Sequence, residues 1–336
     1  MGSIAVETRQ PARAYPPGVH VPSLTWFKDD DVQTIDWEVQ TSHLKFLIQS
    51  GLHGVVIAGT NGEGKHLPAT LKLDEKLELV RRTRQIAQSV GRPDLPITVG
   101  CNGGCTLAVV EETQAAKAAG ADFALVLVPS YFHFAMDDNA INEFFLEVAD
   151  KSPIPIVIYN FPGVVSGLDV NSEMLDVLGD HPNIVGVKLT CGGIAKVARA
   201  SAKFGVFGDE NENGTFRALA GQSDWLVPAL AAGGAGCITG VANLYPKACI
   251  EMYDLWNAGK VQQACRLQNE IAKSEIGFGK GGINGTKWVV GALLGYPESS
   301  SHCRRPYPKF SDDKKKAWVL GKVKLCGQIE IDLSQR

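Results

Sequence analysis

One lysine stands where apolar residues belong. In the run Asn183-Ile184-Val185-Gly186-Val187-Lys188-Leu189-Thr190, everything from Ile184 to Leu189 except Lys188 is apolar or small. Such a run reads as a short buried strand. Burying an ammonium without a partner is costly, and the cost is relieved by reaching water or by losing the proton. Lys188 therefore has two readings: a strand-end lysine that snorkels out, or an amine kept neutral to attack a carbonyl and form a Schiff base. Tyr159, Tyr131 and Thr60 carry hydroxyls that could move protons at such a site. Each taken alone is also an ordinary half-buried aromatic or turn residue. What separates the readings is whether the fold brings them to one place.

The elements that would do so alternate along the chain. Short apolar runs at 19–27, 54–58, 96–100, 123–128, 154–159, 183–190, 216–220 and 235–241 read as strands. Amphipathic stretches between them read as helices; Leu73, Leu77 and Val80, for example, recur at i, i+4 and i+7. Gly51 and Gly120 are placed to stop two of these helices, and Asn171 to start another. Eight such units predict an α/β fold, a (β/α)8 barrel over 18–245, rather than an open doubly wound sheet. Helices near 245–258, 260–275, 283–294 and 312–322 predict a C-terminal helical region over 246–336. Residues 1–17, with Pro11, Pro16 and Pro17, read as a flexible arm.

A barrel keeps its chemistry at the carboxyl ends of its strands. Those ends hold Thr60-Asn61-Gly62-Glu63, Ser130-Tyr131, Tyr159-Asn160, Lys188 with Thr190, Gly221, and Ile238 with Asn243. Two phenols, a hydroxyl and a lysine thus converge on one rim, which favours the Schiff-base reading.

Composition narrows the function classes. The 336 residues are 45% hydrophobic and 21% charged with a net charge of −3, which gives no basic footprint for nucleic acid. No apolar stretch of about 18 residues could span a bilayer. Eight scattered cysteines fit a reduced, cytoplasmic protein. Cys101 and Cys105 lack the second ligand pair that a zinc site needs, so no metal and no cofactor is expected. Gly277-x-Gly279-x-x-Gly282 follows helical sequence rather than a strand, and reads as a loop between appendage helices rather than a nucleotide fingerprint. Among His66, His133 and His181, only His133 lies near the rim, where it could contact substrate.

The motifs Gly59-Thr60-Asn61-Gly62-Glu63, Tyr159-Asn160-Phe161-Pro162 and Ile184-Val185-Gly186-Val187-Lys188 resemble the dihydrodipicolinate synthase / N-acetylneuraminate lyase family of pyruvate-dependent class I aldolases. Gly221-Gln222-Ser223-Asp224 and Cys303-Arg304-Arg305-Pro306 are weaker matches, and together they cover 18–308. The resemblance implies a Schiff base between Lys188 and the keto carbon of a small-molecule 2-oxo acid. Tyr159 would shuttle the proton, and Thr60 and Tyr131 would complete a relay, with Tyr131 donated to a neighbouring subunit. The backbone N–H groups of Thr60 and Asn61, at a helix N-terminus, would hold the substrate carboxylate. Ile238 would offer its carbonyl oxygen. A homotetramer, a dimer of dimers, follows from the family.

Within the family, synthases carry an arginine after the Tyr-Asn-x-Pro turn, and Gly163-Val164-Val165-Ser166-Gly167 has none. This argues against condensation with aspartate semialdehyde. Thr190, two after the lysine, with Ser223 and Asp224, stands where sialic acid lyases bind substrate hydroxyls, and Gly221 joins them in the expected substrate site. The whole set is most similar to the fungal 2-keto-3-deoxy-L-galactonate aldolases, so the expected reaction is reversible retro-aldol cleavage to pyruvate and an aldehyde. Thr60-Asn61 is also similar to 4-hydroxy-2-oxoglutarate aldolases. The alternatives that stay open are that activity, a synthase-type condensation, and a non-catalytic homologue.

Overall fold

The computed structural model describes residues 12–64, 71–205 and 215–335. Eight parallel strands close into a barrel in sequence order, each hydrogen-bonded to the next and the last to the first. They are β1 (Gly18–Pro22), β2 (Gly54–Ile57), β3 (Ile97–Gly100), β4 (Phe123–Leu127), β5 (Ile156–Asn160), β6 (Ile184–Leu189), β7 (Arg217–Ala220) and β8 (Gly236–Ile238). Apart from Arg217 every strand residue is buried, which the continuous apolar runs require of a sheet filled inside and covered by helices outside.

The covering helices are α1 (Trp37–Gln49), α2 (Leu73–Ser89), α3 (Thr106–Ala119), α4 (Asp138–Lys151), α5 (Ser172–Leu178), α6 (Ile194–Phe204), α7 (Leu226–Ala231) and α8 (Pro246–Asn257). Local chemistry sets their ends. Asp36, Asp137 and Asn171 each accept a hydrogen bond from the backbone N–H three residues on. Gly120 and Gly205 close α3 and α6 in the left-handed conformation. The eighth βα unit runs to Asn257, past the residue-245 boundary at which the strand signal stops.

Four expectations are corrected. First, β1 and β8 are shorter than 19–27 and 235–241: after Pro22 the chain leaves the sheet, and after Ile238 it winds into a single 3-10 turn at Gly240–Asn243. Second, the helices at 260–275 and 283–294 are one element, α9 (Val261–Leu294), broken only by Gly282 at φ 65°. Gly277 and Gly279 lie inside it, so the supposed loop is a one-residue kink. A Cβ at Gly277 would sit 2.8 Å from Val323 Cγ2, so this glycine serves close helix packing. Third, α10 (Asp313–Val323) is followed by a further helix, α11 (Gly327–Ser334). Fourth, the end of the arm is not loose: Tyr15 is fully buried, edge-on to Phe123, with its hydroxyl 3.1 Å from Thr98 Oγ1.

Candidate active site

The site is a row across adjacent strands. In the parallel ladder Leu127 pairs with Tyr159, Tyr159 with Lys188, and Lys188 with Leu219. Register therefore places the phenol and the amine side by side at the carboxyl ends of β5 and β6. Both are 2% exposed, and Lys188 Nζ lies 4.2 Å from the centre of the Tyr159 ring. Lys188 does not snorkel. No carboxylate pairs with it among the described residues. From β2, the Thr60 hydroxyl lies 3.1 Å from Tyr159 Oη, so amine, phenol and hydroxyl are contiguous.

The turn that carries Thr60 is built by close backbone packing. Ala58 sits at φ 54°, and its carbonyl oxygen would be 2.1 Å from a Cβ on Gly64 and 2.2 Å from one on Gly100. Only glycine fits at either place. Glu63 N–H donates to Thr60 O and Gly64 N–H to Gly59 O, closing the turn. The N–H groups of Thr60 and Asn61 have no acceptor among the described residues. The expected helix N-terminus is not found at this turn, because α2 begins only at Leu73. Its free N–H groups are turn amides, with no helix dipole behind them.

What fixes this turn was missed from sequence. Glu63, at φ 58° and fully buried, accepts from Lys287 Nζ at 2.7 Å and from Arg304 N–H at 2.8 Å. Lys287 belongs to α9 and is also fully buried. Arg304 grips Glu75 through both terminal nitrogens at 2.7 Å, and both cations lie 4.3 Å from the Phe27 ring centre. The C-terminal region thus clamps the rim of the barrel. Lys287 falls three residues before Val290, a spacing that puts it on the buried face of α9 without showing what it meets there.

The other expected residues divide. Thr190 Oγ1 is buried with no hydrogen-bond partner, and a Cβ at Gly221 would lie 2.2 Å from it. Gly221 is therefore where β6 and β7 approach, and it leaves room for that hydroxyl. Ser223 is fully buried, with its hydroxyl committed to Glu275 at 2.6 Å and to Thr239 at 3.1 Å; it faces the protein interior rather than open space. Asp224 beside it is exposed. Ile238 is a buried strand end. A Cβ at Gly240 would lie 2.9 Å from Asn61 Nδ2, so the β8 rim touches the β2 turn.

Tyr131 does not join the row. It is 86% exposed, stacked edge-on to Phe132, and makes no hydrogen bond to Thr60 or Tyr159. His133 is exposed beside it, His181 bonds Asp150 at 3.3 Å, and His66 lies outside the described residues. Asn243 is a structural residue: it accepts from Leu24 N–H and His43 and donates to Pro22 O, tying the β8 rim to the end of β1. Asn160 does the same for β5, accepting from Val170 N–H and donating to Asp169, which Lys196 neutralises at 2.6 Å. Among the described residues, no group of three or more His, Cys, Asp or Glu could hold a metal ion, and no helix is long and apolar enough to cross a membrane.

The chain is similar to known proteins along most of its length. The chain is 34% identical over 302 residues to the L-threo-3-deoxy-hexylosonate aldolase of Hypocrea jecorina, which covers 90% of this chain and 93% of that one. It is 37% identical over 293 residues, 86% of this chain and 88% of the other, to an Emericella nidulans protein named "Probable 4-hydroxy-2-oxoglutarate aldolase, mitochondrial". The solved structure of a dihydrodipicolinate synthase family protein from Coccidioides immitis superposes with a TM-score of 0.83 at 34% identity, covering 96% of this chain and all of that one. Residues 16–320 match the Dihydrodipicolinate synthetase family, to which the chain belongs.

Proposed function

We propose that the chain is a class I aldolase that reversibly cleaves a 2-oxo-3-deoxy-4-hydroxy sugar acid, best matched by 2-keto-3-deoxy-L-galactonate, to pyruvate and an aldehyde. The observation that carries this reading is the row of buried Lys188 and Tyr159 with half-buried Thr60, the amine over the phenol ring and the phenol bonded to the hydroxyl. Lys188 attacks the keto carbon and, with loss of water, becomes a protonated imine. Tyr159 takes the proton from the C4 hydroxyl. The C3–C4 bond then breaks: its electron pair flows into the imine to give an enamine, and the aldehyde leaves. Protonation of C3 and addition of water return pyruvate and the free amine. The unoccupied N–H groups of Thr60 and Asn61 are the substrate-carboxylate hook. Ile238, at the end of β8, would offer its carbonyl oxygen.

Two observations favour a polyol tail over a second carboxylate. The Thr190 hydroxyl is buried without a partner, and such groups ordinarily have one. The 163–167 turn also lacks the arginine that would meet another carboxylate. The Emericella relative supports 4-hydroxy-2-oxoglutarate as the second reading. Pyruvate release measured on both acids decides: a kcat/KM higher for the sugar acid by tenfold or more is expected, and the reverse order overturns the choice. Tyr131 is assigned to a neighbouring subunit's site in a homotetramer, which its exposure supports. A cytoplasmic location is the reading that the cysteine usage supports; the word mitochondrial in one relative's name makes fractionation the test.

A further inference from the structure

The barrel's buried polar groups include one carboxyl that the cleavage chemistry does not use. Glu275 lies on the covered face of α9, between Ile271 and Phe278, and is 8% exposed. Among the described residues no lysine or arginine pairs with it. Its partners are all in the turn that follows β7. One carboxyl oxygen lies 2.6 Å from Ser223 Oγ, and the other accepts from Ser223 N–H at 3.4 Å. The chain of hydroxyls continues from Ser223 Oγ to Thr239 Oγ1 at 3.1 Å, and Thr239 accepts from Val241 N–H at 3.3 Å. Thr239 directly follows Ile238 at the end of β8.

One carboxyl on the appendage therefore holds together the rim turns of two strands. A second α9 residue braces the same turn: Gln268 donates to Ser223 O and accepts from Val227 N–H. The turn starts at Gly221, against which the unpartnered Thr190 hydroxyl rests. A buried acid without a cation is costly. Spending it on this turn makes sense if the turn's position matters more than the stability lost.

We propose that Glu275 is a positioning residue for specificity: through Ser223 and Thr239 it sets the turns at β7 and β8 against which the aldehyde half of the substrate is read. The inference rests on the aldolase reading above. The pyruvate half is held at Lys188 and the Thr60–Asn61 turn, and among the described residues none of these hydrogen-bonds to Glu275, Ser223 or Thr239.

The test uses the full chain, two substrates, three single variants and one double variant. Glu275→Leu removes every polar contact with the turn. Thr239→Val cuts the chain at its far end and keeps the side chain's shape. Glu275→Gln keeps the size, one acceptor and one donor. Glu275→Leu and Thr239→Val should each lower kcat/KM for 2-keto-3-deoxy-L-galactonate about tenfold relative to that for 4-hydroxy-2-oxoglutarate, the scale of one lost buried hydrogen bond. Combining the two should cost no more than either alone, since both break one chain. Glu275→Gln should restore the wild-type ratio, and borohydride trapping of pyruvate should stay within about twofold in all three.

If Glu275→Leu does not fold, Thr239→Val and Glu275→Gln still decide. An unchanged substrate ratio in Thr239→Val overturns the inference. So does an equal fall for both substrates together with weakened pyruvate trapping, which marks a structural role alone. Wild-type protein that traps no pyruvate at Lys188 defeats the aldolase reading instead, and this inference with it.

Discussion

At the scale of the residue, burial shifts several ionisable groups toward their neutral forms. Burial, and then the charge of nearby Asp224, push the Glu275 carboxyl from about 4.5 up to about 8. Between those values the unfolded chain has released a proton that the folded chain still holds, so this group makes stability fall as pH rises. His20 and His43 act oppositely. Burial lowers them to about 3 and about 4, so their contribution is lost as pH falls below the ordinary imidazole value of 6.5. The two effects separate in Glu275→Gln, which keeps the histidines and removes the titrating acid. The groups facing that position, Asp224, Cys237, Cys249 and Cys326, are unchanged in it. The melting temperature of Glu275→Gln minus that of wild type should increase by several degrees between about pH 5 and pH 8; a flat difference contradicts the assignment. Lys188 was legible in the sequence because a single charge interrupts an apolar strand. Glu275 was not, although its spacing from Ile271 and Phe278 puts it on the buried face, because one polar residue in an amphipathic helix is usually solvated.

At the scale of the element, α9 does two things for the rim: Lys287 locks the β2 turn through Glu63, and Glu275 with Gln268 locks the β7 turn. Lys287→Met leaves the buried Glu63 carboxylate without its ion-pair partner, keeping only the Arg304 N–H, and should cost about 3–5 kcal/mol of stability in urea unfolding. Adding Glu63→Gln should recover part of the loss. A single variant as stable as wild type would show that the pair is dispensable. The strands and most helix ends were readable from runs, caps and glycines because those signals are local. The clamp was not readable, since Glu63 and Lys287 are 224 residues apart and nothing local announces their meeting. The same holds for Tyr15, whose neighbours Pro16 and Pro17 suggested a loose arm while its ring found a place against Phe123. The continuity of α9 was hidden by glycines that read as a loop, one of which, Gly277, serves instead as a close contact with α10.

At the scale of the whole molecule, the loop after β4 presents Tyr131, Phe132 and Phe134 at 86%, 60% and 80% exposure, a concentration of aromatic surface that a lone soluble barrel has little use for. The proposed assembly covers it with a second copy and brings Tyr131 to that copy's Thr60 and Tyr159. Phe132→Ser with Phe134→Ser should shift the sedimentation profile from tetramer toward smaller species and lower activity with it. A wild-type chain that sediments as a monomer and is fully active removes the tetramer and the shared tyrosine together. None of this alters the central claim, which is that the buried amine of Lys188 forms the covalent link to substrate. It is tested most directly by incubating the protein with pyruvate, reducing with borohydride and mapping the modified peptide by mass spectrometry. The account predicts one reduced pyruvate adduct per chain, on Lys188; an unmodified Lys188, with or without an adduct elsewhere, contradicts it.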